Sequence, residues 1–123
     1  MISYVTLGVS NLAAAKAFYS ELLSDLGAKV LIDMDRISFI GKSMEQPMLA
    51  VCIPFNKEAP QPGNGVMVSF APGSKEGVDA MYNKAITLGA SCDGAPGERV
   101  PNVFYGAYVK DLDGNKLCFN HFM

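Results

Sequence analysis

The chain repeats itself, and that repetition limits what it can fold into. Val5, Leu7 and Val9 alternate with Tyr4, Thr6 and Gly8, the period of a half-buried strand. Ser10 or Asn11 can cap a following helix. Leu12, Ala15, Phe18, Tyr19, Leu22, Leu23 and Leu26 recur at helical spacing. Gly27 stands where a helix end favours a left-handed residue. Roughly 62 residues later the order returns. Val66 to Ala71 reads as a strand, Ser74 to Leu88 as an amphipathic helix, and Gly89 as its stop. The triplet LGA at 26–28 recurs at 88–90.

Each copy continues with short strands. In the first they fit 28–33, 36–41 and 47–54, the first pair turning at Met34–Asp35. In the second they fit 91–94, 103–110 and 115–121, with Asp113–Gly114 as a two-residue hairpin signal. The segment FNKEAPQPGNG, 55–65, holds two prolines and two glycines, so it suits neither helix nor central strand. The reading is an α+β single domain over 1–123, with module one at 1–54, a linker at 55–64 and module two at 65–123. Neither strand–helix–strand–strand–strand module covers its own helix-free sheet face. Two of them predict a curved mixed sheet of about eight strands around a cavity, helices outside.

Composition removes several function classes. The net charge is −2 and half of the residues are apolar, so no basic stripe is available for nucleic acid. No apolar run reaches the roughly 20 residues that span a bilayer, and the N-terminus lacks a secretion-signal pattern. Three widely spaced cysteines with no C-x-x-C pair argue for a reducing, cytoplasmic setting.

The opening YVTLGVSNLAAAKAFYSELLSDLGA and the close YGAYVKDLDGNKLCF resemble the vicinal oxygen chelate superfamily. That group includes glyoxalase I, extradiol dioxygenases, fosfomycin-resistance enzymes and bleomycin-binding proteins. The resemblance spans nearly the whole chain; Leu112 replaces the proline of the family's D-P-D-G turn. It implies paired βαβββ modules and a homodimer. Metal-dependent members hold an ion with His, Glu or Gln on the first strand of one unit, His on the first strand of the other, and Glu on the last strand. Those positions fall here on Tyr4, Met67 and Cys118. A phenol, a thioether and a thiol do not make the carboxylate and imidazole set that hard or borderline divalent ions require. With one histidine in the chain, a two-histidine triad is impossible.

Other residues compete for a role. Cys118 and His121 lie three apart in a strand, hence on opposite faces and roughly 10 Å apart, which argues against a thiol–imidazole dyad. Lys116 and Asn120 share a face with Cys118. Tyr105 and Tyr108 fall on opposite faces of their strand, and the register leaves open which looks inward. Arg36 and Arg99 are the cationic candidates for an anionic ligand. D-L-D-G-N at 111–115 is no calcium loop, because its glycine comes early and Phe122 stands where a bidentate glutamate belongs.

The expectation is a metal-independent small-molecule binding protein with an apolar cavity and no cofactor. Its ligand-binding candidates are Tyr4, Met67, Cys118, Asn120 and Tyr108; catalytic residues stay unassigned. The alternative is a glyoxalase-like lyase or dioxygenase-like enzyme. That requires a divalent metal held by unaligned residues such as Glu45 or Asp93, or acid–base chemistry by Tyr4 and His121. A third reading is an adaptor whose cavity is merely core.

Overall fold

The structure, a computed structural model, describes residues 1–123. The chain divides into two compact units, Met1–Gln61 and Pro62–Met123, so the division falls within the proline- and glycine-rich segment.

The first unit runs β1 (Tyr4–Gly8), α1 (Leu12–Leu22), a 3-10 turn at Ser24–Leu26, β2 (Lys29–Asp33), β3 (Ile37–Gly41) and β4 (Met48–Cys52). Of the two candidate caps, Asn11 takes the role: its side chain accepts from the Ala14 amide at 3.0 Å, filling one orphan donor of the first turn. The apolar periodicity through Leu26 overstates the α-helix, because the last turn tightens to 3-10 geometry before Gly27 at φ 81°. The sheet order is β1-β4-β3-β2, with β1 parallel to β4 and the remaining pairs antiparallel.

One face of that sheet carries α1, which buries Ala15, Phe18, Tyr19 and Leu22. Each large apolar side chain removed from water contributes on the order of 1.5–3 kcal/mol. Ile40, Leu49 and Val51 are buried in the sheet below. Ser38 is fully buried, yet its hydroxyl donates to Asp33 at 2.6 Å. Asp33 in turn is paired with Lys16 of α1 at 3.0 Å. The Ser38 and Lys16 contacts hold the Asp33 carboxyl below its ordinary range.

The second unit runs β5 (Val68–Phe70), α2 (Lys75–Thr87), β6 (Ser91–Val100), β7 (Phe104–Lys110) and β8 (Lys116–Phe122). Its order, β5-β8-β7-β6, repeats that of the first unit, again with a parallel pair joining first and last strands. The predicted eight strands thus pair as two four-stranded sheets. Ser74 caps α2 by accepting from the Gly77 amide at 3.0 Å, and Gly89 follows it at φ 107°.

Two boundaries differ from the sequence reading. β5 is only three residues long, and β6 extends to Val100 instead of stopping at 94. β6 tolerates Gly94, Pro96 and Gly97 because it is a sheet edge and its register against β7 slips three times. The slips leave Asp93, one residue of the Ala95–Pro96 pair, and Arg99 as extra residues opposite β7, the signature of β-bulges.

The β7–β8 connection also departs from a two-residue turn. Only Gly114 has positive φ, at 87°, and the last strand pair is Lys110↔Lys116. Asp111 organises the loop: its carboxylate accepts from the Asp113 and Asn115 amides, both at 2.9 Å, and from the Asn115 side-chain amide at 3.0 Å. No helix is long and apolar enough to cross a membrane. All three cysteines are free thiols.

Candidate ligand face of the second unit

β8 sorts its side chains by alternation. Leu117 and Phe119 register with Val109 and Ala107 of β7, and all four are fully buried. Tyr105 shares this face: its hydroxyl donates to Asp79 of α2 at 2.6 Å. That identifies it as the helix face. His121 registers with Tyr105 and lies there too, on the far side of the strand from Cys118. Tyr105 therefore looks toward the helix and Tyr108 away from it.

The helix-free face holds Lys116, Cys118 and Asn120 of β8, with Tyr108 opposite Cys118 and Gly106 opposite Asn120. Ser69 of β5 registers with Cys118, and its hydroxyl donates to the Asn120 side-chain oxygen at 2.6 Å. Cys118 is fully buried and Asn120 is 5% exposed. Burial pushes the Cys118 thiol up; contacts with Ser69 and Tyr108 and the charges of Lys116 and Arg99 oppose the shift without cancelling it. The thiol stays protonated near neutral pH, so it is a poor nucleophile.

Charged groups surround this polar floor. The Lys116 ammonium lies 5.1 Å from the Tyr108 ring centroid, and the Arg99 guanidinium 5.4 Å from it. Lys116 also pairs with Asp93 at 3.2 Å. Asp93 and Arg99, each an extra residue at a slip of β6, thus come to the neighbourhood of one tyrosine. Beside them opens a groove of about 850 Å³, lined by 62–67 together with Asp93, Lys110, Asp113, Gly114 and Lys116. Met67 is part of its wall, 43% exposed and just ahead of β5.

A family model for the Glyoxalase/Bleomycin resistance protein/Dioxygenase superfamily matches residues 1–119. The chain belongs to that superfamily. Among solved structures, a glyoxalase/bleomycin resistance protein from Albidiferax ferrireducens T118 is 33% identical, with TM-score 0.88, over 100% of this chain and 99% of that one. A glyoxalase/bleomycin resistance protein/dioxygenase family enzyme from Burkholderia phytofirmans PsJN is 21% identical, with TM-score 0.80, over 98% of each chain. A lactoylglutathione lyase from Agrobacterium tumefaciens, 21% identical with TM-score 0.69, covers 98% of this chain and 92% of its own. At those identities the last two share the fold alone. No curated protein matches.

The superfamily's metal does not fit the side chains at its ligand positions. Cys118 offers a single buried thiol, and Met67 only a thioether. Tyr4, in the first unit, is 47% exposed and packs edge-on against Phe39 with ring centroids 4.8 Å apart. No three His, Cys, Asp or Glu side chains gather in a way that could hold an ion. Asp93, a substitute considered from sequence, is engaged by Lys116. Arg36 is also committed within its own unit, donating to the Ile53 carbonyl at 2.8 Å and lying 5.4 Å from the Phe55 ring centroid.

Of the five predicted ligand residues, the second unit brings Cys118, Asn120 and Tyr108 onto one face and puts Met67 in the adjoining groove. Tyr4 belongs to the first unit. Sequence reasoning misses Ser69; Arg99, a cationic candidate from sequence, lies within β6, which extends beyond the strand expected at 91–94. The available signal was the glycine spacing of Gly94, Gly97 and Gly106, which makes room on one face.

Proposed function

We propose that this superfamily member is a metal-independent binding protein for a small organic molecule. The observation that carries the reading is the replacement of all three metal-ligand positions by Tyr4, Met67 and Cys118 while both βαβββ units are retained. In the second unit the ligand lies against Tyr108, Ser69 and Asn120, with its apolar part along Val66 and Met67. A few placed polar groups beside apolar wall are what small-molecule sites commonly present. Three free thiols support a reducing, cytoplasmic setting.

Metal analysis of protein purified without chelators tests the proposal. Far less than one divalent ion per chain is expected, together with a small-molecule mass retained in native mass spectrometry. One tightly bound ion per chain, lost on substituting Tyr4, Met67 or Cys118, overturns it. Turnover of thiol adducts of methylglyoxal with added Mn²⁺, Ni²⁺, Zn²⁺ or Fe²⁺ would instead establish a glyoxalase-like lyase.

A further inference from the structure

We propose that the ligand of the second unit's helix-free face carries a terminal oxyanion, a carboxylate or phosphate on an apolar or aromatic body, received by Arg99 and Lys116 beside Tyr108. This rests on the small-molecule reading above and names the ligand's chemistry.

Arg99 is built into the sheet surface. It is the extra residue of a β-bulge between Glu98 and Val100, which turns it to the side opposite Glu98. There its guanidinium donates to the Ala95 carbonyl and stacks at 5.4 Å from the Tyr108 ring centroid. The sheet is shaved down to receive it. A Cβ at Gly94 would lie 3.2 Å from Arg99 Nη2 and 2.9 Å from Tyr108 Cδ2, and a Cβ at Gly97 would lie 3.0 Å from Arg99 Nη1. The side chain therefore lies over two glycines with its orientation set before a ligand arrives, which lowers the entropic cost of binding.

Donors remain after these internal contacts. A guanidinium has five N–H groups and an ammonium three; the Ala95 carbonyl takes from the first and Asp93 from the second. A planar fork suits a carboxylate or phosphate. Lys116 reaches both Tyr108 and the groove, where Lys110 is a second cation. Asp93 and Asp113 also line that groove and offset part of this charge. The Arg99 corner, farther along β6, has the Tyr108 ring and glycine backbone as its neighbours. Val66 and Met67 supply wall for an apolar body.

Calorimetric titration of the whole chain with benzoate, phenyl phosphate and the neutral benzamide tests this. At least one of the two anions is expected to bind about tenfold or more tightly than benzamide, and more weakly at high salt. Whichever anion binds tighter identifies the headgroup. Arg99→Met and Lys116→Met, both at partly exposed sites, should each erase most of the preference, and Arg99→Lys should restore part of it. Benzamide binding as tightly as both anions overturns the oxyanion inference and leaves the small-molecule reading standing. So does anion binding unaltered by both methionine variants. Failure of all three probes to bind overturns the oxyanion inference, while the small-molecule reading stands or falls on the mass retained in native mass spectrometry.

Discussion

The Tyr105 hydroxyl and the Asp79 carboxylate meet at 2.6 Å, tying strand β7 to helix α2 on the packed side of the second sheet. This bond makes the phenol harder to ionise, since the phenolate would face a carboxylate; Asp79 raises the Tyr105 pKa above its ordinary value of 10.0. A raised folded-state value contributes stability that is fully present below the unfolded value and is lost as pH climbs through the folded one. Urea midpoints measured from pH 8 to 11 should therefore fall for the native sequence above about pH 10. Tyr105→Phe should start lower at pH 8 and show a shallower fall. Equal slopes for the two proteins would contradict the coupling.

Asp33 gives the opposite limb. Its carboxyl is held low, first by the Ser38 hydroxyl and then by Lys16, so its contribution is present above the unfolded value of 3.8 and fades as pH drops through the folded one. Acid titration of the first unit's unfolding should begin at a higher pH in Ser38→Ala than in the native sequence.

The β7–β8 loop depends on one buried carboxylate. Asp111→Ala strands the amides of Asp113 and Asn115 and the Asn115 side chain. Buried donors left unpaired cost about 1–3 kcal/mol each, so an overall loss of about 2–4 kcal/mol is expected in denaturant unfolding. Asp111→Asn, which keeps one acceptor oxygen, should fall between. A loss under about 0.5 kcal/mol, the size of an ordinary surface change, would show that the loop is held by something else.

Gly89 stops α2 at φ 107°, and a Cβ there would stand 3.1 Å from Leu112 Cδ2. Gly89→Ala therefore combines backbone strain with a clash into the loop after β7. A cost of about 1–3 kcal/mol follows, larger than for Gly65→Ala, where φ is 90° and no atom lies within 4 Å. Thermal unfolding of the two variants provides the comparison.

Thiol chemistry separates the cysteines. Cys92 is exposed, whereas Cys52 and Cys118 are buried, and Cys118 is further protected by its raised pKa. Timed alkylation with iodoacetamide at pH 8, read by peptide mass spectrometry, should label Cys92 first and Cys118 only on unfolding. Early labelling of Cys118 would reopen a nucleophilic role.

The repeat was readable because its punctuation is strong. Asn11, Gly27, Ser74 and Gly89 all do at the helix ends what their residue types suggest. Cys118 and Asn120 could be grouped because the period of a strand is strict. What escaped was β6, where Gly94, Pro96 and Gly97 look like a loop in one dimension. They are affordable only at an edge whose register is free to slip, a fact about neighbours that local sequence does not carry. Which way Arg99 faces is hidden for the same reason, since a bulge shifts the alternation by which inward and outward residues are told apart. The choice between Tyr105 and Tyr108 needed Asp79, which lies on another element.

In both sheets the first strand finds its place only beside the last: Tyr4 registers with Met48, and Val68 with Leu117. During synthesis β5 must wait for roughly fifty further residues before its hydrogen bonds have a partner, and such long closures slow folding. Until β8 emerges from the ribosome, Val68 and Phe70 belong to a strand with no sheet to join. The order of strands therefore makes β5 the piece most exposed to mispairing in a nascent or truncated chain, and a substitution that slows β8 would be felt first there.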